Sequence, residues 1–164
     1  MALVAGMAGT GYAFDIPKLK AVSADALEAS LISVGAFAVP AKFFTGRSRP
    51  DKTRGPADYR PFNLGSSQPS FTTANAFAVA SVLSEHFPHP AVSLLSYGLA
   101  SLAGLSRIYE DKHWASDVFL GAALGTVIGK TVAKLNEKRR EGSRVSLIPL
   151  VGEGIQGAAL RVAF

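Results

Sequence analysis

Apolar residues return along this chain at helical rather than alternating intervals, and clusters of Pro, Gly and Ser cut them into segments. Leu27, Leu31, Val34 and Ala38 fall on one face of a first helix, which Ser23 is placed to cap and Pro40 to disturb. Thr72 or Thr73 caps a second helix reaching about Phe87, a third runs from Ala91 to about Ile108, and a fourth opens near His113 and ends in the basic run Lys130 to Arg144. Between the first two lies Gly46 to Ser70, rich in Arg, Pro, Gly, Asp and Ser. A compact domain keeps a loop of that length, about 25 residues, for binding or function. The tail VSLIPLVGEGIQGAALRVAF holds two short extended stretches around Gly152 to Gly154 and reads as a hairpin. The pattern predicts an all-α, antiparallel bundle of about four to five helices in one domain spanning 1–164, with a short C-terminal β-hairpin in an extended tail, 144–164.

Composition narrows the chemistry. There is no cysteine, which removes disulfides, thiol nucleophiles and cysteine-bearing zinc sites, and any imidazole chemistry falls to three histidines. A net charge of +5 suits phosphate-bearing partners, but charge alone is what would speak for a nucleic acid, and none is expected. Only 18% of residues are charged and the mean hydropathy is +0.24, which favours a membrane setting. The apolar stretches Ala91 to Leu105 and Val118 to Gly129 are each shorter than the roughly 20 residues of a spanning helix, so each reads as buried, interfacial or marginally spanning. The opening MALVAGMAGTGYAF is apolar and small without the marks of a signal peptide, and it reads equally as the tail of a segment lying upstream.

The polar residues that break this pattern gather at helix ends. Lys42 and Arg49 follow the first helix, Ser70 and Thr72 begin the second, Arg107 ends the third, and His113 and Asp117 open the fourth. An antiparallel bundle brings these ends to one side. Three cations and the N–H groups at the Ser70 helix start would surround a tetrahedral anion, because arginine forks and helix N-termini both match phosphate oxygens. His113 and Asp117, four apart, share a helical face, so a carboxylate could hold one ring N–H and leave the other nitrogen to attack phosphorus. The cations would supply the charge stabilisation that a metal otherwise gives. Taken singly, these residues have plainer readings: solvated or snorkelling helix ends for the cations, caps for Ser70 and Thr72, a surface pair or a satisfied cap for His113 and Asp117, and helix ends beside Pro88 and Pro90 for His86 and His89.

Jointly they resemble something specific. Lys42 with Arg49 and Pro50 after six intervening residues, then Pro69 and Ser70, then Ser106 and Arg107 with His113 and Asp117 in SRIYEDKHWASD, resemble the three-part signature of the type 2 phosphatidic acid phosphatase and vanadium haloperoxidase superfamily. The resemblance covers about Leu27 to Leu135. It implies a helical-bundle phosphatase domain that needs no metal or cofactor, with vanadate acting as inhibitor or phosphate mimic. By the same resemblance Lys42, Arg49 and Arg107 bind the phosphoryl oxygens, Ser70 and the backbone N–H of Phe71 complete the cradle, His113 attacks, and Asp117 orients it. The implied setting is lipid metabolism at the bacterial inner membrane, with the active site facing away from the cytoplasm, or the periplasm. The cations Lys130, Lys134, Lys138, Arg139 and Arg140 would then lie on the cytoplasmic side.

The middle part departs from the family pattern of proline, serine, glycine, histidine, for this chain reads Pro69, Ser70, Phe71, Thr72. The general-acid histidine is missing. An aliphatic hydroxyl is far too weak an acid to protonate a departing alkoxide, a step typically worth ~10² to 10⁴ in rate. His86 cannot substitute along the same helix, because fourteen residues at about 1.5 Å each place it about 21 Å away. Three expectations follow: a phosphatase of a phosphate monoester or a lipid or polyprenyl phosphate, slowed unless Glu110, Asp111 or water supplies the proton; a phosphate- or headgroup-binding pseudoenzyme; and, ranked last, a vanadate-dependent haloperoxidase.

Overall fold

The computed structural model describes residues 2–52, 55–63 and 67–142, and the strands 145–152 and 155–162. It contains five helices among these residues: α1 (Ala2–Ala13), α2 (Pro17–Thr45), α3 (Phe71–His86), α4 (Pro90–Tyr109) and α5 (Ala115–Gly142). By contacts the chain divides into two units, Met1–Ala133 and Lys134–Phe164. In the second, β1 (Val145–Gly152) and β2 (Ile155–Val162) pair antiparallel from Val145↔Val162 to Gly152↔Ile155, the hairpin expected around Gly152 to Gly154.

Local chemistry starts each helix, though not always at the expected residue. α2 begins at Pro17, where a missing N–H costs nothing, so Ser23 is no cap: it lies buried within the helix and donates to the Lys20 carbonyl. Nor does Pro40 end this helix. Residues Ile32–Ala38 form a π turn in which the Val39 N–H reaches back to Val34 O, and the α-helix then resumes as Val39–Thr45 with Pro40 in its first turn. Proline sits where a helical N–H is not required. α3 is capped by Ser70, rather than by Thr72 or Thr73, through Ser70 Oγ accepting from the Thr73 N–H at 3.4 Å. His89 caps α4 by accepting from Ala91 N, with Pro90 as the first helical residue.

Helix α3 is the hub. α2 and α4 pack on it directly, and α5 reaches it through Gly121, Gly125 and Gly129, whose Cα atoms rest against the α3 backbone at Ser70, Ala74 and Ala78. Ser81 and Tyr97 (2.9 Å) and Ser84 and Ser93 (2.7 Å) join α3 to α4 by hydroxyl pairs. At the far end of α3 from Ser70, His86 Nε2 lies 2.7 Å from the buried Asp25 Oδ2, so His86 ties two helices together and does more than end one.

The four residues read onto one face of α2 divide, Ala38 being buried and Val34 half-buried while the two leucines lie outside. Leu27 and Leu31 are 47% and 62% exposed, while Val22, Ala26, Ala29, Ser30 and Ser33 are buried. α4 likewise leaves Leu94, Leu95, Leu99, Leu102 and Leu105 exposed and buries Ala100 and Gly104. Small residues inside and leucines outside are what helices adopt in a hydrocarbon solvent, where close approach of backbones rather than escape from water drives packing. Helices α2, α4 and α5 are each long and apolar enough to cross a membrane.

Candidate active site

The loop after α2 is anchored before it can present anything. Gly46 ends the helix at φ +54, its N–H bonded to Lys42 O, and a Cβ there would fall 1.7 Å from Arg60 O, so only glycine fits. The chain returns alongside itself through Ser48 N to Asp58 O (3.0 Å), Arg60 N to Gly46 O (3.2 Å) and a bridge between Arg47 and Tyr59. Ser67 N then bonds Arg47 O at 3.2 Å, which carries the segment toward the Ser70 cap.

Arg47, absent from the residues singled out in the sequence, is the side chain on which this end of the bundle is assembled. It is 5% exposed. Its Nη1 donates to Asp117 Oδ1 and to Ser116 Oγ, its Nε and Nη2 to Pro56 O, and its guanidinium lies 5.2 Å from the Tyr59 ring centre and 5.5 Å from that of Trp114. The Trp114 indole donates to Ser48 O at 3.1 Å, a second tie between the loop and the start of α5. A third is Lys112 to Asp51 at 2.8 Å, and the ammonium holds this carboxyl below its usual range. Two arginines lie two apart in GRSRP, and nothing local says which one turns inward.

Asp117 is fully buried and fully engaged. Besides Arg47 it accepts from Ser67 Oγ and, at 3.0 Å, from the Trp114 N–H, the backward bond of a helix cap. Its carbonyl receives the Ser70 N–H at 3.1 Å, which fixes the first turn of α3 against that of α5. His113 does not share a helix with it: α5 starts at Ala115, and His113 lies in the preceding loop, held by its N–H on Arg107 O at 3.2 Å. The ring is 5% exposed, and Nδ1 is 3.9 Å from Asp117 Oδ2, inside ion-pair range and beyond hydrogen-bonding distance.

The remaining candidates take up distinct positions. Lys42 lies within electrostatic reach of both Arg49 and Asp117, and its Nζ sits 4.1 Å over the Phe71 ring. Arg49 Nε and His113 Nδ1 are buried without a hydrogen-bond partner among the described residues. Ser70 is buried, its Oγ receiving Thr73 Oγ1 at 2.9 Å. The N–H groups of Phe71 and Thr72, in the first turn of α3, are of the kind that no intrahelical carbonyl can reach. Arg107 contributes its carbonyl to the His113 loop, while its guanidinium is paired with Glu110 at 2.8 Å. Thr72 is exposed at the mouth of a largely apolar cavity of about 450 Å³ between the π turn of α2 and the first turn of α3.

The buried pair sets a stability test. Removing one partner of a buried ion pair strands the other, so Arg47→Met and Asp117→Asn are each expected to cost about 3–5 kcal/mol. The double variant should cost clearly less than their sum, because neither charge is then left alone. Thermal unfolding in detergent measures all four proteins, and strict additivity would remove Arg47 from this role.

The comparisons with known proteins can be set beside this geometry. The family model described as the PAP2 superfamily matches residues 26–141. The chain is 37% identical over 113 residues to the lipid A 1-phosphatase of Porphyromonas gingivalis (strain ATCC 33277), a match covering 68% of this chain and 23% of that protein. The chain therefore spans about a quarter of the length of the curated relative that it matches. No solved structure matches it.

Proposed function

Because the chain belongs to the PAP2 superfamily, we propose that it is a metal-independent phosphatase acting on a membrane-borne phosphate monoester through a phosphohistidine. The observation that carries the proposal is the buried Arg49 Nε, without a hydrogen-bond partner among the described residues, together with His113 Nδ1 at 3.9 Å from a carboxylate already compensated by Arg47. An unmet buried donor on a half-buried guanidinium calls for an anion. Lys42, Arg49 and the free N–H groups of the α3 start bind the phosphoryl oxygens, and Arg107 joins them by exchanging Glu110 for phosphate. On binding, Nδ1–H closes the 3.9 Å gap to Asp117, as catalytic hydrogen bonds commonly tighten only in the complex. Nε2 then attacks phosphorus, the P–O bond to the leaving group breaks with its electron pair on oxygen, and water later splits the P–N bond to release phosphate and restore imidazole.

The apolar cavity lined by Phe71 and Thr72 at the start of α3 supports a lipid substrate, as does the name of the lipid A 1-phosphatase relative. Exposed leucines on the spanning-length helices support a membrane protein, and the basic C-terminal part of α5 supports an inner-membrane orientation with the site facing away from the cytoplasm. A second reading, a phosphate-binding pseudoenzyme, is favoured by the residues that replace the family's glycine and histidine: the Phe71 ring lies under the Lys42 ammonium, and Thr72 stands where the family keeps its acid.

The leaving group decides between them. With no acid at position 72, the leaving oxygen departs unprotonated, so chelator-treated protein should release phosphate from a nitrophenyl phosphate, be much slower on alkyl or lipid phosphates, and show a steep dependence of rate on leaving-group pKa. Thr72→His together with Phe71→Gly should flatten that dependence and raise alkyl-ester turnover on the order of 10² or more. Equal wild-type rates on aryl and alkyl esters, with no gain in the variant, would mean another residue supplies the proton.

A further inference from the structure

Phe43 and Phe44, at the end of α2, and Phe62, across the following loop, form a mutual edge-to-face cluster with ring centres 5.7, 5.7 and 6.0 Å apart. The cluster is not core: the three residues are 38%, 59% and 68% exposed. Phe62 is held there at φ +65, a conformation that bulky residues avoid, with its N–H on Phe43 O at 2.9 Å. Three exposed rings, one on strained backbone, would be a liability in water.

The surroundings say what covers them. Leu27, Leu31, Phe37 and Val39 are exposed along α2, Phe43 and Phe44 continue the exposed apolar residues to its end at Thr45, and the helix is long and apolar enough to cross a membrane. The loop from Gly46 to Asn63 carries five cations against two carboxylates, and its Lys52 and Arg60 are exposed while Arg47 is not. Apolar rings flanked by outward cations fit the boundary between acyl chains and phosphate headgroups, where rings find hydrocarbon and lysine or arginine finds anionic oxygen. A protein partner fits less well, since lysine is depleted at protein interfaces.

We infer that Phe43, Phe44 and Phe62 form an anchor inserted into the acyl–headgroup boundary of the leaflet at this end of the bundle, with Lys52 and Arg60 on its lipid phosphates. The anchor fixes the depth of the Lys42 and Arg49 segment at the level where a lipid phosphate lies. The inference rests on the membrane placement of α2 and is independent of whether the protein hydrolyses anything.

The absence of cysteine makes the test direct, since one introduced cysteine gives one label. Phe62→Cys and, as a second variant, Phe44→Cys carry a nitroxide in full-length protein reconstituted into phosphatidylcholine vesicles containing phosphatidylglycerol, with Glu141→Cys as the aqueous reference. Collision with oxygen, which concentrates in hydrocarbon, is compared with collision with a water-soluble nickel chelate. The oxygen-to-nickel ratio at positions 62 and 44 is expected to exceed that at 141 several-fold. A ratio equal to that at 141 would place the loop in water, and poor access to both reagents would mean that protein covers the cluster; either result overturns the inference.

Discussion

His113→Ala is expected to lower phosphate release from an aryl phosphate by roughly 10³-fold or more while changing affinity for vanadate or phosphate by less than about tenfold. The asymmetry follows from how the site divides its work. In the proposed mechanism binding rests on Lys42, Arg49 and the N–H groups at the start of α3, and the His113 loop is held through backbone bonds to Arg107 O rather than through the imidazole. The proposed phosphohistidine has no other histidine to form on: His86 is bound to Asp25 toward the other end of α3, and His89 caps α4. Initial rates and competition by vanadate, on wild type and variant side by side, make the comparison. Indistinguishable rates on every ester tried would leave the pseudoenzyme reading in possession. Asp117→Asn tests a different thing, because its carboxylate carries a buried arginine and a helix cap as well as facing the imidazole. Its loss of rate must be read against its loss of stability.

The second large effect concerns packing. Gly125→Leu should prevent the bundle from closing, because a Cβ at that position would lie 2.2 Å from Ala74 O and 2.9 Å from Ala78 N. The obstacle is backbone on both counts. Overpacking against movable side chains costs typically about 1–3 kcal/mol, and here α5 must instead withdraw from α3 along its length, so the expected loss exceeds that range. Withdrawal also breaks the Ser70 N–H to Asp117 O bond, so the site and the fold should fail together. Gly98→Ala is the control, since nothing lies within 4 Å of its added carbon and helix propensity favours the change by about 0.5–1 kcal/mol. Thermal unfolding and size exclusion in detergent distinguish the two. A Gly125→Leu protein that melts within a few degrees of wild type would show that the three-glycine stripe is not a close contact.

Parts of this were legible in the chain itself. Helix existence and the pairing of the two tail strands depend on near-neighbour chemistry: apolar period, Pro90 after a capping His89, and two short extended runs close together in the chain. The signature residues were legible for a related reason, since their types and intervals are properties of the chain. The stripe Gly121, Gly125, Gly129 could have been read too, as small residues every fourth position in an apolar helix, a recognised sign of close helix contact. Which residues of α2 turn inward was not legible, because periodicity says which residues share a face but not which solvent that face meets, and in a hydrocarbon surrounding leucines can face outward.

By itself, then, the sequence determined that helices alternate with polar loops, that Lys42, Arg49, Ser70, Arg107, His113 and Asp117 occur at helix ends in family order, and that position 72 holds a threonine with no acid to give. Only the tertiary structure decided what each of those groups touches. That Arg47 rather than Arg49 takes the Asp117 carboxylate depends on a bridge to Tyr59, a glycine at φ +54 and the indole of Trp114 just before α5. That His113 stands off the helix at 3.9 Å from Asp117 depends on where Trp114 begins the helix and on what else the carboxylate already holds. Spacing along a chain constrains neighbours one turn away. The partner of a buried charge is chosen by segments some seventy residues apart, as far as Arg47 is from Asp117, once the helices that carry them have packed.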